Sequence, residues 1–257
     1  MLHEHHKQII NNIKLHFIHD PNVLAFITNG SVARGSAGPE SDIDFILVVS
    51  DDEYKTRERN SDIQFNINSL CIPPCIEANG SAKTVNMLKW LINNGSDVSR
   101  YAFVGSNVIF SKVPNLDTLL KQITTFPSAN IENRLECFYS QVKMHYSYLE
   151  YGHYSKNIYV LYQTAILITL FGGRMILTHN KMFYPGRKWF LNQLEEAKKK
   201  PKDFIYFMKK LIQNPCLTTA TEFYDLLLNF RDWPQPSEGW FNRYEQDMKD
   251  RRWNTID

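Results

Sequence analysis

The sequence predicts an α+β fold, with a small mixed sheet and flanking helices over residues 1–125 and an all-helical half over residues 126–257. In the first half, short apolar runs of strand length, bounded by Gly, Pro, Asn and Asp, alternate with helical patterns. Phe126-Pro127-Ser128 then punctuates the chain, and helix-length patterns follow, with Pro185, Pro201 and Pro215 between them. A chain of 257 residues that is 43% hydrophobic can bury the core of one large domain or two modest ones.

Ile9, Ile10, Ile13 and Phe17 recur at helical spacing, so residues 4–18 are predicted to form an amphipathic helix that Asp20-Pro21-Asn22 ends. Val23 to Ile27 and Phe45 to Val49 are uninterrupted apolar runs, expected as buried strands. Asp51 to Arg59 suits an exposed helix or loop. Ile63 to Ile67 alternates, as a strand with one wet face does. A short strand is expected at Cys75 to Ala78 before an Asn79-Gly80 turn, then a helix from Val85 to Ile92 and a strand at Val108 to Phe110. In the second half, helices are expected near 130–150, 155–178, 187–199, 203–213 and 218–231.

The formal net charge is +2, which argues against a large nucleic-acid footprint. The N-terminus lacks the apolar core of a signal peptide. The most apolar stretch, Ile158 to Leu177, is broken by Tyr159, Tyr162, Gln163, Thr164 and Arg174, and reads as a buried helix rather than a membrane span. Cys71, Cys75, Cys137 and Cys216 lack zinc-site spacing and read as reduced thiols, so a cytoplasmic protein is expected. His3, His5 and His6 read as an exposed, mobile tail, Lys198-Lys199-Lys200 as a solvated helix end, and Trp233, Trp240 and Trp253 as packing residues.

The chemistry concentrates in Asn29-Gly30-Ser31-Val32-Ala33-Arg34 and the following Ser41-Asp42-Ile43-Asp44. Gly30 lets backbone approach a phosphate, amide N–H groups at a helix start can bind it, and the Ser31 hydroxyl and Arg34 charge add to them. Asp42 and Asp44, two apart at a strand start, project from one face. Two adjacent anions repel unless a cation lies between them, and Mg²⁺ prefers oxygen ligands shared with substrate phosphates. A phosphate cradle beside a dicarboxylate is machinery for phosphoryl or nucleotidyl transfer.

This segment resembles the Gly-Ser … Asp-x-Asp motif of the DNA polymerase β-like nucleotidyltransferase superfamily. The helical second half resembles that of the kanamycin, streptomycin/spectinomycin and lincosamide nucleotidyltransferases. The resemblance implies an enzyme that moves a nucleoside monophosphate, AMP in the first instance, from ATP or another triphosphate to a hydroxyl of a small molecule such as an antibiotic. It implies two Mg²⁺ ions on Asp42, Asp44 and a third carboxylate, with Gly30, Ser31, Arg34 and Ser41 on the nucleotide. Glu77, ahead of the 85–92 helix, fits the third carboxylate's place and could also act as general base; Asp62 is the alternative. Lys188 matches by context a lysine that reaches the triphosphate, with Arg187 its neighbour. Glu136, beside Tyr139 and Lys143, is a further possible acid, with a solvated helix face its plainer reading. The helical half, 126–257, is expected to complete a substrate cleft with no membrane or nucleic-acid partner. Two other readings share this sequence: an enzyme that adds AMP to a partner protein, and a non-catalytic nucleotide-binding module.

Overall fold

The computed structural model describes residues 2–249, so Trp253 lies outside the described residues. The chain divides into two compact units, residues 1–125 and 126–257.

The first unit opens with α1 (Glu4–Phe17), which leads into β1 (Val23–Asn29), the five-residue α2 (Gly30–Arg34) and β2 (Ile43–Val49). Ser50 caps α3 (Asp51–Arg59) by accepting the Glu53 N–H at 3.2 Å. Then come β3 (Gln64–Asn66), β4 (Ala78–Lys83), α4 (Val85–Asn94), α5 (Asp97–Tyr101), β5 (Asn107–Ser111) and α6 (Leu116–Ile123). The sheet order is β3-β4-β2-β1-β5, with β2 parallel to β4 and every other pair antiparallel. This is the small mixed sheet the sequence predicts. Both faces are covered, which is why β1 and β2 read as apolar runs rather than alternating strands. Ile9, Ile13 and Phe17 of α1 pack with Phe26, Phe45 and Leu47 on one face, and Leu88, Leu116, Leu120 and Ile123 with Ile27, Ile46 and Val48 on the other.

One strand differs from expectation. The segment predicted to turn at Asn79-Gly80 is the interior of β4, and Cys75 to Glu77 precede that strand. Its buried positions are Ala78, Gly80 and Ala82, small because bulky rings already fill the space. A Cβ on Gly80 would lie 2.5 Å from the Phe65 ring and 2.6 Å from that of Phe45.

The second unit is helical, as the sequence predicts. The long α7 (Ile131–Tyr154) and α8 (Ile158–His179) form a hairpin, followed by α9 (Phe190–Glu196), α10 (Phe204–Gln213), α11 (Leu217–Leu228) and α12 (Trp240–Lys249). The helix expected over 187–199 is shorter: Arg187–Trp189 is a 3₁₀ turn, α9 ends at Glu196, and Lys200 folds back to donate to the carbonyls of Glu195 and Ala197 at 2.8 and 2.6 Å. By length and composition α8 does meet the requirement for a membrane span, against the sequence expectation. It is nonetheless mostly buried, with Arg174 enclosed between the Phe138 and Tyr184 rings at 4.7 and 4.9 Å. Gly172 lets Leu227 and Phe223 of α11 approach α8: a Cβ there would stand 2.9 Å from Leu227.

Candidate active site

One end of the sheet is polar. Asn29 closes β1 and pairs across with Asp44 on β2; Asp44 stands opposite Asn79 on β4, and Asn79 opposite Asn66 on β3. Residues directly opposite share a face, so Asn29, Asp44, Asn79 and Asn66 form one row. Asp42 lies one residue before β2, and Glu77 one before β4, where its carbonyl accepts the Ile43 N–H at 3.0 Å. Both lie just outside the ladder, and Asp42 reaches that row through Asn79. The Asn79 amide donates to Asp42 Oδ2 at 3.4 Å, and Glu77 is exposed.

Gly30 joins the next loop to this row. Its φ is +71°, in the left-handed region, and a Cβ there would lie 2.9 Å from both Cβ and Cγ of Asp44 and run into its carboxylate oxygen. The Asp44 carboxylate therefore occupies the space that a side chain at position 30 would take. Asn29 Oδ1, beside them, is buried without a hydrogen-bond partner.

The remaining predicted residues have diverse surroundings. Ser31 is half-buried at the start of α2, and its carbonyl accepts the Ser36 N–H at 3.0 Å. Arg34 lies with its guanidinium 5.1 Å from the Tyr101 ring centre and passes over Gly105, where a Cβ would come 2.9 Å from Arg34 Cγ. Ser41 Oγ accepts the Gly38 N–H at 2.9 Å and so braces the loop ahead of Asp42. Asp62 lies beyond the other end of β3 from Asn66 and accepts from Arg57 at 3.1 Å, in a surface ion pair. In the helical unit, Lys188 is exposed, with Nζ 5.3 Å from the Trp189 ring centre, in a 3₁₀ turn rather than an α-helix. Glu136 is not a solvated helix-face acid. It pairs with Arg243 of α12 at 3.1 Å, and Arg243 also bonds both oxygens of the buried Asp247 at 3.0 Å. Tyr139 is buried, and Lys143 Nζ lies 5.6–5.9 Å from the Tyr139, Tyr224 and Trp240 rings.

The N-terminal histidines are not a loose tail. His6 is fully buried, and its Nε2 lies 3.1 Å from the Ser41 carbonyl; His5 Nε2 lies 2.8 Å from that of Pro39. Burial lowers the His6 pKa. The periodicity contains this signal, since His6, Ile9, Ile13 and Phe17 fall on one helical stripe. Among the described residues, no three His, Cys, Asp or Glu side chains converge as a ready-made metal cage. All four cysteines are free; burial pushes the Cys71 thiol up to about 11.

Residues 10–76, which contain the loop, both aspartates and the approach to Glu77, match the nucleotidyltransferase domain family. Among solved structures, the chain is similar to a nucleotidyltransferase-like protein from Exiguobacterium sibiricum 255-15, at 14% identity over 94% of this chain and 75% of that one, with a TM-score of 0.49. No curated protein sequence matches the chain. With its mixed sheet and matched segment, the chain carries a nucleotidyltransferase domain of the DNA polymerase β-like superfamily.

Proposed function

We propose that this chain transfers a nucleoside monophosphate, AMP in the first instance, from a nucleoside triphosphate to a hydroxyl of a small molecule. The observation that carries the reading is the seating of the Asp44 carboxylate against Gly30, with Asp42 reaching the same row through Asn79. This closeness supports the reading, since the loop's backbone would receive the phosphates beside the carboxylates. The donor set suits Mg²⁺: two carboxylates, with the buried and unpartnered Asn29 Oδ1 beside them, are hard oxygens. A magnesium site needs only one or two protein carboxylates, with phosphate and water completing it, so a closed three-residue cage is not required. Bound Mg²⁺ neutralises phosphate charge and favours ionisation of the attacking hydroxyl.

In this reading Asp42 and Asp44 hold the metal, and Glu77 takes the proton of the acceptor hydroxyl. The acceptor oxygen bonds to the α-phosphorus as the bond to the bridging β-phosphate oxygen breaks, and pyrophosphate leaves. Ser31, Arg34, Ser41 and the first N–H groups of α2 contact the phosphates, and Lys188 neutralises the departing pyrophosphate. A net charge of +2 favours a compact acceptor over a long nucleic acid.

The test is incubation with Mg²⁺, ATP labelled at the α-phosphate, and a panel of hydroxylated compounds that includes aminoglycosides and lincosamides. Label should appear on a small molecule whose mass rises by one nucleoside monophosphate. Label confined to a protein acceptor, or absent from every acceptor, would overturn the proposed substrate class.

A further inference from the structure

We propose that His6 is a positioning residue for Asp42, holding the loop that carries this carboxylate through the Ser41 carbonyl. The inference rests on the dicarboxylate reading above. Asp42 precedes the first residue of β2, so the ladder begins only at the Ile43 N–H bond to Glu77. The loop behind it, residues 35–41, contains Gly35, Gly38 and Pro39 and is largely exposed. Its internal fastening is one turn, in which the Gly38 N–H donates to Ser41 Oγ at 2.9 Å and the Ser41 N–H to the Gly38 carbonyl at 3.2 Å. Nothing in that turn ties it to the sheet.

Ala37 packs against the core cluster of that sheet face, and two imidazoles of α1 supply the polar ties. A carbonyl oxygen only accepts, so each Nε2 must carry its proton and donate: His5 to Pro39 at 2.8 Å, His6 to Ser41 at 3.1 Å. His6 Nδ1 is buried with no hydrogen-bond partner, which fits a neutral ring with its single proton on Nε2. The same helix is bolted to the sheet by Ile9, Ile13 and Phe17. The Ser41 carbonyl is thus fixed to the core through His6, and the next residue is Asp42. From the other side, the Asn79 amide holds the Asp42 carboxylate. Backbone and side chain are therefore held independently, as a ligand that must keep its aim requires.

Binding of Mn²⁺, as a stand-in for Mg²⁺, to the full chain with a non-hydrolysable ATP analogue can be read by electron paramagnetic resonance. His6→Leu fills the space but cannot donate; His6→Gln can donate to the same carbonyl. The Leu variant should bind Mn²⁺ about 10-fold more weakly or worse, the usual effect of losing an outer-shell partner. Its affinity for the metal-free nucleotide should fall by less than its affinity for Mn²⁺, since Ser41 is only one of several phosphate contacts, and the Gln variant should recover most of the Mn²⁺ loss. Amide hydrogen exchange at Ser41 should speed up in the Leu variant alone. Wild-type Mn²⁺ affinity in His6→Leu, or an equal loss in both variants, overturns the inference. If the Leu variant does not fold, His6→Gln decides: it must keep both Mn²⁺ affinity and slow exchange at Ser41. Asp42→Asn tests the underlying reading. If it loses the metal while His6→Leu keeps it, only the role of His6 fails; if it binds Mn²⁺ as the wild type does, the dicarboxylate reading fails.

Discussion

Glu136 and Asp247 in the helical unit share one guanidinium, that of Arg243, whereas Asp42 in the sheet unit meets the neutral amide of Asn79. Asp247 is fully buried and Arg243 nearly so, and Asn133 takes two further guanidinium hydrogen bonds at 3.1 and 2.9 Å. Every charge in that cluster has an ionic partner, and the cluster holds α12 to α7. Asp42 instead lies at the open end of a sheet, oriented by an amide that adds no charge. Acidic residues in the first setting build structure. In the second, under the proposed function, they offer hard oxygens to a cation that phosphates share.

The comparison breaks most sharply if the two clusters respond alike to mutation. Asp42→Asn and Asp44→Asn should each lower nucleotidyl transfer by about 10³-fold, consistent with several kcal/mol of lost transition-state stabilisation. Thermal stability should be equal or higher, because each change relieves carboxylate repulsion while keeping side-chain volume. Turnover at saturating Mg²⁺ and melting curves measure both, and wild-type turnover in either variant would remove that residue from the site. Arg243→Met should do the reverse: lose roughly 3–5 kcal/mol of stability by denaturant unfolding, since it strands a buried carboxylate. Making Asp247 apolar in the same chain should restore much of that loss, as exchange of a whole buried ion pair often does. No recovery in the double variant would mean that Arg243 acts through packing instead.

How far the sequence carries this picture depends on the kind of signal. The apolar runs at Val23–Ile27 and Phe45–Val49 reveal β1 and β2, because strands buried on both faces have no alternation to disguise them. The helical half is legible from periodicity and proline placement as far as α11, whereas α12 lies beyond the last helix the sequence predicts. β4 is not, since Ala-Asn-Gly-Ser-Ala-Lys is written in residues that favour turns, and only the rings of Phe45 and Phe65 explain its small side chains. The Gly-Ser and Asp-x-Asp spacing marks where to look. Neither the Asn29–Asp44–Asn79–Asn66 row nor the His6 bond to Ser41 is visible without strand register and the tertiary path of α1. Glu136 is ambiguous in the sequence for the same reason: its partner Arg243 lies far along the chain, beyond any local pattern.

The smallest effect is expected at Lys188, which sharpens the comparison from the cationic side. Arg243 is enclosed by its partners, while Lys188 is exposed beside Trp189. Lys188→Ala should weaken binding of a non-hydrolysable nucleotide with Mg²⁺ by roughly 1.5–3 kcal/mol, the range for a charge-assisted hydrogen bond. Lys188→Arg should recover part of this, because the guanidinium restores charge but not the compact ammonium geometry. Calorimetric titration measures the change. Unchanged affinity in the Ala variant would return Lys188 to the role of an ordinary surface lysine.

Gly30 has a consequence for how this chain tolerates change. Because the Asp44 carboxylate fills the volume where a residue-30 side chain would begin, the two positions make a single mutational unit despite their distance in sequence. Any substitution at Gly30 displaces Asp44 as well as straining its own backbone, so its cost includes that of a misplaced carboxylate. Once Asp44 has been shortened or removed, the same substitution loses its main obstacle. Effects at the two sites are therefore not additive, and a library that varies either position alone undercounts the combinations that fold.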